Sequence, residues 1–157
     1  MSFRSKGTAY QKPKRKIDTE PHFLSKTNDW RIMYDEDEAQ KNFPQHIVNT
    51  SLRPDIVVYS DNIKSVILIE LTCGDETNFE DQRARKEERY NGLLAEIEHA
   101  GWSAKLFTIE IGCKGFYHDT APRLFNFFAI NRKTKKNALN EAALTALKAS
   151  YTIWLSR

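Results

Sequence analysis

The chain of 157 residues has no apolar run approaching 18 residues, no internal repeat, only two cysteines and no strong excess of charge of either sign. Each absence closes off a class. Without a long apolar stretch, no transmembrane helix and no membrane partner are expected. Without a repeat, the chain is not an array of small stacked units. Cys73 and Cys113 end separate predicted strands. With no signal peptide, they are expected as reduced thiols rather than as a disulfide. The cysteines and the four histidines show no metal-ligand spacing, which argues against a zinc-finger-type site. His118, five residues after Cys113, reads as a loop residue. The balance of 24 Lys+Arg against 21 Asp+Glu permits a nucleic-acid partner without requiring one. The expected location is intracellular, and nuclear if the source is eukaryotic.

What is present is enough chain for one domain with an ordinary apolar content of 40%. Residues 1–21 lack apolar periodicity and carry Lys12, Lys14, Arg15 and Lys16 around Pro13. They read as a disordered basic tail, with a nuclear-import signal or a phosphate-touching arm as the functional alternatives. Residues 22–157 form the expected domain, with a core over 44–116 and a helical part over 117–157. Trp30 to Tyr34 can form a short strand. Asp35 to Asn42 can form one or two helical turns, in which Glu36 or Glu38 would be a spare carboxylate. His46 to Ser51 reads as a further strand.

The centre of the pattern is Arg53-Pro54-Asp55-Ile56-Val57-Val58-Tyr59, a polar break, and Val66-Ile67-Leu68-Ile69-Glu70-Leu71-Thr72-Cys73. Two β-branched runs around Ser60 to Ser65 predict a hairpin. Folded about Asn62 and Ile63, it sets Ile56 against Ile69, Val57 against Leu68, Val58 against Ile67 and Tyr59 against Val66. The same register sets Asp55 against Glu70, with Cβ atoms about 4.5–5.5 Å apart, and like charges so placed repel. The pair can share a proton, be paired by a cation or bridge a divalent metal. The metal is the favoured reading.

Thr77-Asn78-Phe79-Glu80 matches a capping box and predicts a helix from Asn78 to Ala100, ended by Gly101. Its stripe Tyr90, Leu93, Leu94, Ile97 runs back through Lys86 to Gln82, so those two polar residues face the sheet. Arg83, Arg85 and Arg89 face elsewhere and can touch phosphate. Ala104 to Ile111 reads as a strand parallel to the second hairpin strand, reached by a crossover. A turn follows at Gly112 to Phe116. A helix capped by Asp119 or Thr120 comes next, then a basic linker Asn131–Asn137 with Arg132, Lys133, Lys135 and Lys136, which would share any nucleic-acid phosphate contacts with Arg83, Arg85 and Arg89. The last helix, Leu139 to Leu155, has Leu139, Ala143, Leu144, Leu147, Tyr151 and Trp154 along one side. The expected class is α/β, a small mixed sheet with flanking helices.

Pro54-Asp55, a gap, then Glu70-Leu71-Thr72 in an apolar strand resembles the PD-(D/E)XK nuclease signature. With Phe43-Pro44, Leu52-Arg53, Gly101-Trp102 and Gly112-Cys113-Lys114-Gly115-Phe116, the stretch from Pro44 to Phe116 resembles the endonuclease-like region found downstream of reverse transcriptase in some retroelements. The resemblance implies a restriction-endonuclease-like core and metal-dependent hydrolysis of DNA phosphodiester bonds. It implies Mg²⁺ or Mn²⁺ held by Asp55, Glu70 and the Leu71 carbonyl. The family's lysine is replaced by Thr72. Some members carry that lysine on the following helix, where Lys86 stands, flanked by Gln82 and Tyr90. Arg53, opposite Thr72 in the hairpin register, is the second candidate cation. Two other readings stand beside this one: a catalytically silent nucleic-acid-binding module, and a structural domain with Asp55 and Glu70 in a salt-bridge network.

Overall fold

A computed structural model describes residues 22–35 and 41–156. The expected N-terminal tail, with Lys12, Lys14, Arg15 and Lys16, lies outside the described residues, as do Glu36 and Glu38. The architecture is a mixed α/β fold, a four-stranded sheet in the order β1-β2-β3-β4 with helices on both faces. The strands are β1 (Arg31–Tyr34), β2 (Ile56–Ser60), β3 (Ser65–Gly74) and β4 (Ser103–Gly112). The α-helices are α1 (Phe79–His99), α2 (Thr120–Phe127) and α3 (Arg132–Leu155), with short 3₁₀ turns at Phe23–Lys26 and Glu76–Asn78. Among the described residues no helix is long and apolar enough to cross a membrane.

The hairpin register is the expected one: Ile56 pairs Ile69, Val57 pairs Leu68, Val58 pairs Ile67 and Tyr59 pairs Val66, antiparallel. β1 adds antiparallel to β2, and β4 adds parallel to β3, with Glu70 beside Thr108 and Thr72 beside Glu110. The alternation along the strands sorts the core into two layers. Val57, Tyr59, Val66 and Leu68 pack against Tyr90, Leu93 and Ile97 of α1, closed by Phe43 and Ile47. Val58, Ile67, Ile69 and Ile109 pack against Ala121, Leu124 and Leu139 of α2 and α3. Burial on both faces makes β3 an apolar central strand, as its run from Val66 to Ile69 requires. Each fully buried aliphatic side chain contributes about 1.5–3 kcal/mol of transfer free energy.

Four local expectations are corrected. His46 to Ser51 is not a strand: the Ile47 amide donates to the Pro44 carbonyl (3.0 Å) and the Leu52 amide to Thr50 Oγ1 (3.1 Å). Local turn bonds take up groups that a ladder would need. The capping box at Thr77 does not form. Asp75 Oδ1 accepts from both the Thr77 amide (2.9 Å) and the Thr77 hydroxyl (2.6 Å), so the first turn is 3₁₀ and α1 starts at Phe79 behind Asn78. Those two bonds hold the Asp75 carboxyl below its ordinary pKa. Asn131–Asn137 is not a linker. Asn131 Oδ1 accepts from the Thr134 amide (2.9 Å), and this cap starts α3 at Arg132. Finally, the expected apolar side of the last helix is only partly covered. Leu139 and Ala143 are buried, whereas Leu144, Leu147, Tyr151 and Trp154 are exposed.

Helix α1 ends as expected, with Gly101 at φ 83°. α2 ends without glycine. Ala129 adopts φ 54°, its amide donates to the Asn126 carbonyl (3.0 Å), and the Ile130 amide donates to the Phe125 carbonyl (2.9 Å). This is a Schellman closure on a residue with a Cβ.

Candidate functional site

The acidic pair sits where the hairpin ladder runs out. Beyond the Ile56–Ile69 rung, side chains replace backbone partners. Glu70 Oε1 accepts from the Asp55 amide (3.0 Å), and Asp55 Oδ2 accepts from the Leu71 amide (2.7 Å). Each carboxylate thus clasps the other strand. Asp55 continues the alternation of Val57 and Tyr59, and Glu70 that of Val66 and Leu68, so both lie on the sheet face covered by α1. Glu70 is buried at 3% exposure, while Asp55 is open to solvent.

Lys86 comes to the pair from α1. Its ammonium donates to Glu70 Oε2 (2.8 Å), lies 3.7 Å from Asp55 Oδ2, and donates to the Leu71 carbonyl. The helical spacing explains this reach. Lys86 lies four residues before Tyr90, which is 1% exposed in the core layer, so the lysine stem crosses the sheet's end before meeting water. The cation between the carboxylates removes the bare repulsion that the sequence implies for Asp55 and Glu70.

The remaining residues fall into place around this centre or away from it. Tyr90 donates its hydroxyl to the Arg53 carbonyl (3.0 Å). Burial first, then the neighbouring Glu70 carboxylate, push its pKa above the ordinary tyrosine range. It is therefore a fixed donor, not a base. Arg53 contributes its main-chain carbonyl to this bond, and its side chain is exposed. Thr72 and Gln82 lie on the same face, and the buried oxygens Thr72 Oγ1 and Gln82 Oε1 have no hydrogen-bond partner. The Gln82 amide lies over Gly74. A Cβ built there would meet Gln82 Nε2 at 2.8 Å, so this glycine makes room for the glutamine.

Arg83 is 4.0 Å from Glu87, Arg89 lies over the Tyr90 ring at 5.5 Å, and Arg85 is exposed. Lys135 donates to Asn126 (2.7 Å) at the start of α3 with Arg132, Lys133 and Lys136. Residues farther along α3, from Ala138 to Ala149, line a cleft together with Asp55, Leu71 and Thr72.

A cleft of about 910 Å³ runs between α3 and the end of the sheet, floored by Asp55, Leu71, Thr72 and Cys73 and walled by Ala138, Ala142, Ala146 and Ala149. Its charged lining groups among the described residues are Asp35, Asp55 and Glu141, all acidic. An anion entering it needs a cation beside it.

The implied metal can be tested against these donors. Glu70 Oε2, Asp55 Oδ2 and the Leu71 carbonyl oxygen converge on one ammonium. Lys86 Nζ there stands in for a cation, and the set is all oxygen, as a hard ion such as Mg²⁺ or Mn²⁺ prefers. The residues fit.

Three groups are not foreshadowed by the sequence pattern. Asp75, Glu76 and Cys113 offer ligand atoms within 4.8 Å of one another, yet Lys114 already lies 3.6 Å from Asp75 and 3.7 Å from Glu76. No residue spacing announces that cluster, because a parallel crossover separates its parts. Asp29 fastens the hairpin turn, and Glu110 is fully buried. Glu110 was legible in principle, since the alternation along β4 puts it on the face of Glu70. No family model matches the chain, and no curated protein matches it.

Proposed function

We propose that this chain is a metal-dependent endonuclease-like domain that hydrolyses DNA phosphodiester bonds. The observation that carries the reading is the convergence of Glu70 Oε2, Asp55 Oδ2 and the Leu71 carbonyl on the Lys86 ammonium at the open end of a buried strand. Asp55, Glu70 and the Leu71 carbonyl would hold the ion. Mg²⁺ or Mn²⁺ bound there supplies an acidified water and offsets charge on a phosphate. Lys86, displaced from these oxygens by the ion, would hold a second positive charge beside the scissile group, where charge developing in the transition state is offset best. Tyr90 fixes the strand end through Arg53. The acidic cleft excludes an unaccompanied phosphate and so makes turnover depend on the ion.

The test is nicking of supercoiled plasmid by the full chain with Mn²⁺, with and without chelator. Nicking that needs Mn²⁺ and is lost in Asp55→Asn supports the reading. Equal nicking by wild type and Asp55→Asn sinks it. One observation favours a second reading, a purely structural ion cluster: both Glu70 oxygens are already satisfied within the chain, by the Asp55 amide and the Lys86 ammonium. That reading expects no stabilisation by Mg²⁺ or Mn²⁺ and no nicking.

A further inference from the structure

Glu110 is 0% exposed. Its Oε2 accepts from the Thr120 hydroxyl (2.5 Å), and its Oε1 has no hydrogen-bond partner. A buried carboxylate is costly unless a cation or a set of donors compensates it. Lys86 is engaged by Glu70 and Asp55. Among the described residues, the ion partner of Glu110 is His118, whose Nδ1 lies 3.9 Å from Oε2 and 2.7 Å from Asp119, with a hydrogen bond to neither. The Oε1 side is left uncompensated.

Two further orphaned oxygens belong to the same face of the sheet. Thr72 is the register partner of Glu110 across β3 and β4, so their side chains leave the same face about 5 Å apart. Gln82 lays its amide over Gly74, two residues beyond Thr72 on that face. Thr72 Oγ1 and Gln82 Oε1 are both buried and unpartnered. One carboxylate oxygen, a hydroxyl and an amide carbonyl from β4, β3 and α1 are thus left without partners at the strand ends. Thr72 and Gln82 are only half-buried, which leaves a side for entry.

We infer that Glu110 Oε1, Thr72 Oγ1 and Gln82 Oε1 form a hard-cation site, separate from the Asp55–Glu70 pair. The donor set is all oxygen with one formal negative charge, which suits Mn²⁺, Mg²⁺ or Ca²⁺ rather than a thiolate-seeking metal. A cation supplies the charge that Glu110 lacks and occupies the other two oxygens at once. A water molecule bridges them but leaves the charge in place. A Gln82 amide turned over to donate to Glu110 does likewise.

The experiment counts bound Mn²⁺ on the full chain, from the loss of the free-ion electron paramagnetic resonance signal. Wild type is compared with Glu110→Gln, Thr72→Val and Asp55→Asn. Glu110→Gln is expected to bind one equivalent fewer than wild type, and Thr72→Val to bind that equivalent about tenfold more weakly. Ca²⁺ should displace it. An unchanged count and affinity in a folded Glu110→Gln overturns the inference and leaves water or a turned amide as the occupant of the space. Should Glu110→Gln not fold, unchanged affinity in Thr72→Val overturns it equally. Asp55→Asn reports separately on the proposed nuclease centre: loss of an equivalent there but not in Glu110→Gln upholds that centre alone, and the reverse upholds this site alone.

Discussion

At the scale of the residue, Lys86 decides most. Its ammonium contacts both carboxylates, whereas Arg85 is exposed one position away, turned by about 100° around the helix. On the proposed nuclease reading, Lys86→Ala should lower the nicking kcat by about 10²-fold while leaving DNA affinity nearly unchanged, because one charge at the reacting group acts mainly in the transition state. Arg85→Ala should weaken affinity slightly and spare kcat. Single-turnover nicking and a binding titration in one buffer separate the two, and full activity in Lys86→Ala removes it from the site. Glu70→Gln bears on the fold as well as on the chemistry. From the sequence, opposed carboxylates imply that neutralising one leaves stability unchanged or raises it. The structure reverses that expectation, since Glu70 is the buried partner of an ammonium. Urea unfolding without metal should show a loss of about 2 kcal/mol, reduced from a full buried-pair penalty because Asp55 and the Leu71 carbonyl still hold Lys86. The placement of Lys86 was legible because helical spacing from a buried tyrosine is a rigid rule. The burial of Glu110 was not singled out, because alternation assigns a face but not the depth of cover.

At the scale of the element, the fastening of the β2–β3 turn is the clearest case. Asp29 accepts from the Ser60 hydroxyl (2.5 Å), the Thr27 hydroxyl (2.5 Å) and the Asn62 amide (3.0 Å). These bonds, Ser60 first and then Thr27, hold its carboxyl down to about 2, against an ordinary value of 3.8. The folded pKa is the lower one, so the stabilisation is full above pH 3.8 and fades as pH falls through about 2. Asp29→Asn should therefore melt below wild type at neutral pH, with the gap closing toward pH 2. A constant gap across that range would refute the assignment. Ala129 gives a prediction of opposite sign. With only 6 glycines in the chain, α2 ends on an alanine at φ 54°. Ala129→Gly should stabilise by about 0.5–1 kcal/mol after glycine's greater unfolded-state freedom is subtracted, as read by a rise in melting temperature. Elements set by long periodic runs, α1, β3 and β4, were legible from the residues. Those decided by a single competing side chain were not. Asp75 displaced the Thr77 cap, and Asn131 turned an apparent basic linker into a helix start.

At the scale of the whole molecule, the basic turn and the acidic pair belong to different elements. The acidic pair lies where the β2–β3 ladder ends, while Arg132, Lys133, Lys135 and Lys136 sit in the first turns of α3. On the same proposed reading, replacing those four by alanine should reduce the salt slope of DNA binding by about 0.9 for each phosphate no longer neutralised and leave kcat under saturation alone. Nicking and binding at several ionic strengths provide the check, and a salt-insensitive wild type would exclude these residues as phosphate ligands.

The sheet's order carries a consequence for synthesis. β3 pairs on one side with β2 across a short turn, but on the other with β4, which follows the whole of α1. While the chain emerges from the ribosome, the hairpin can close early. The second edge of β3, with Val66, Ile67 and Leu68 at 0% exposure in the finished fold, waits for Ser103 to Gly112. Closing that loop has an entropic cost that the β3–β4 ladder recovers only at the end. Until then the most apolar strand of the protein is a bare edge, open to a second copy of itself. A nascent chain stalled between Gly74 and Ser103 is thus an aggregation hazard before it is anything else.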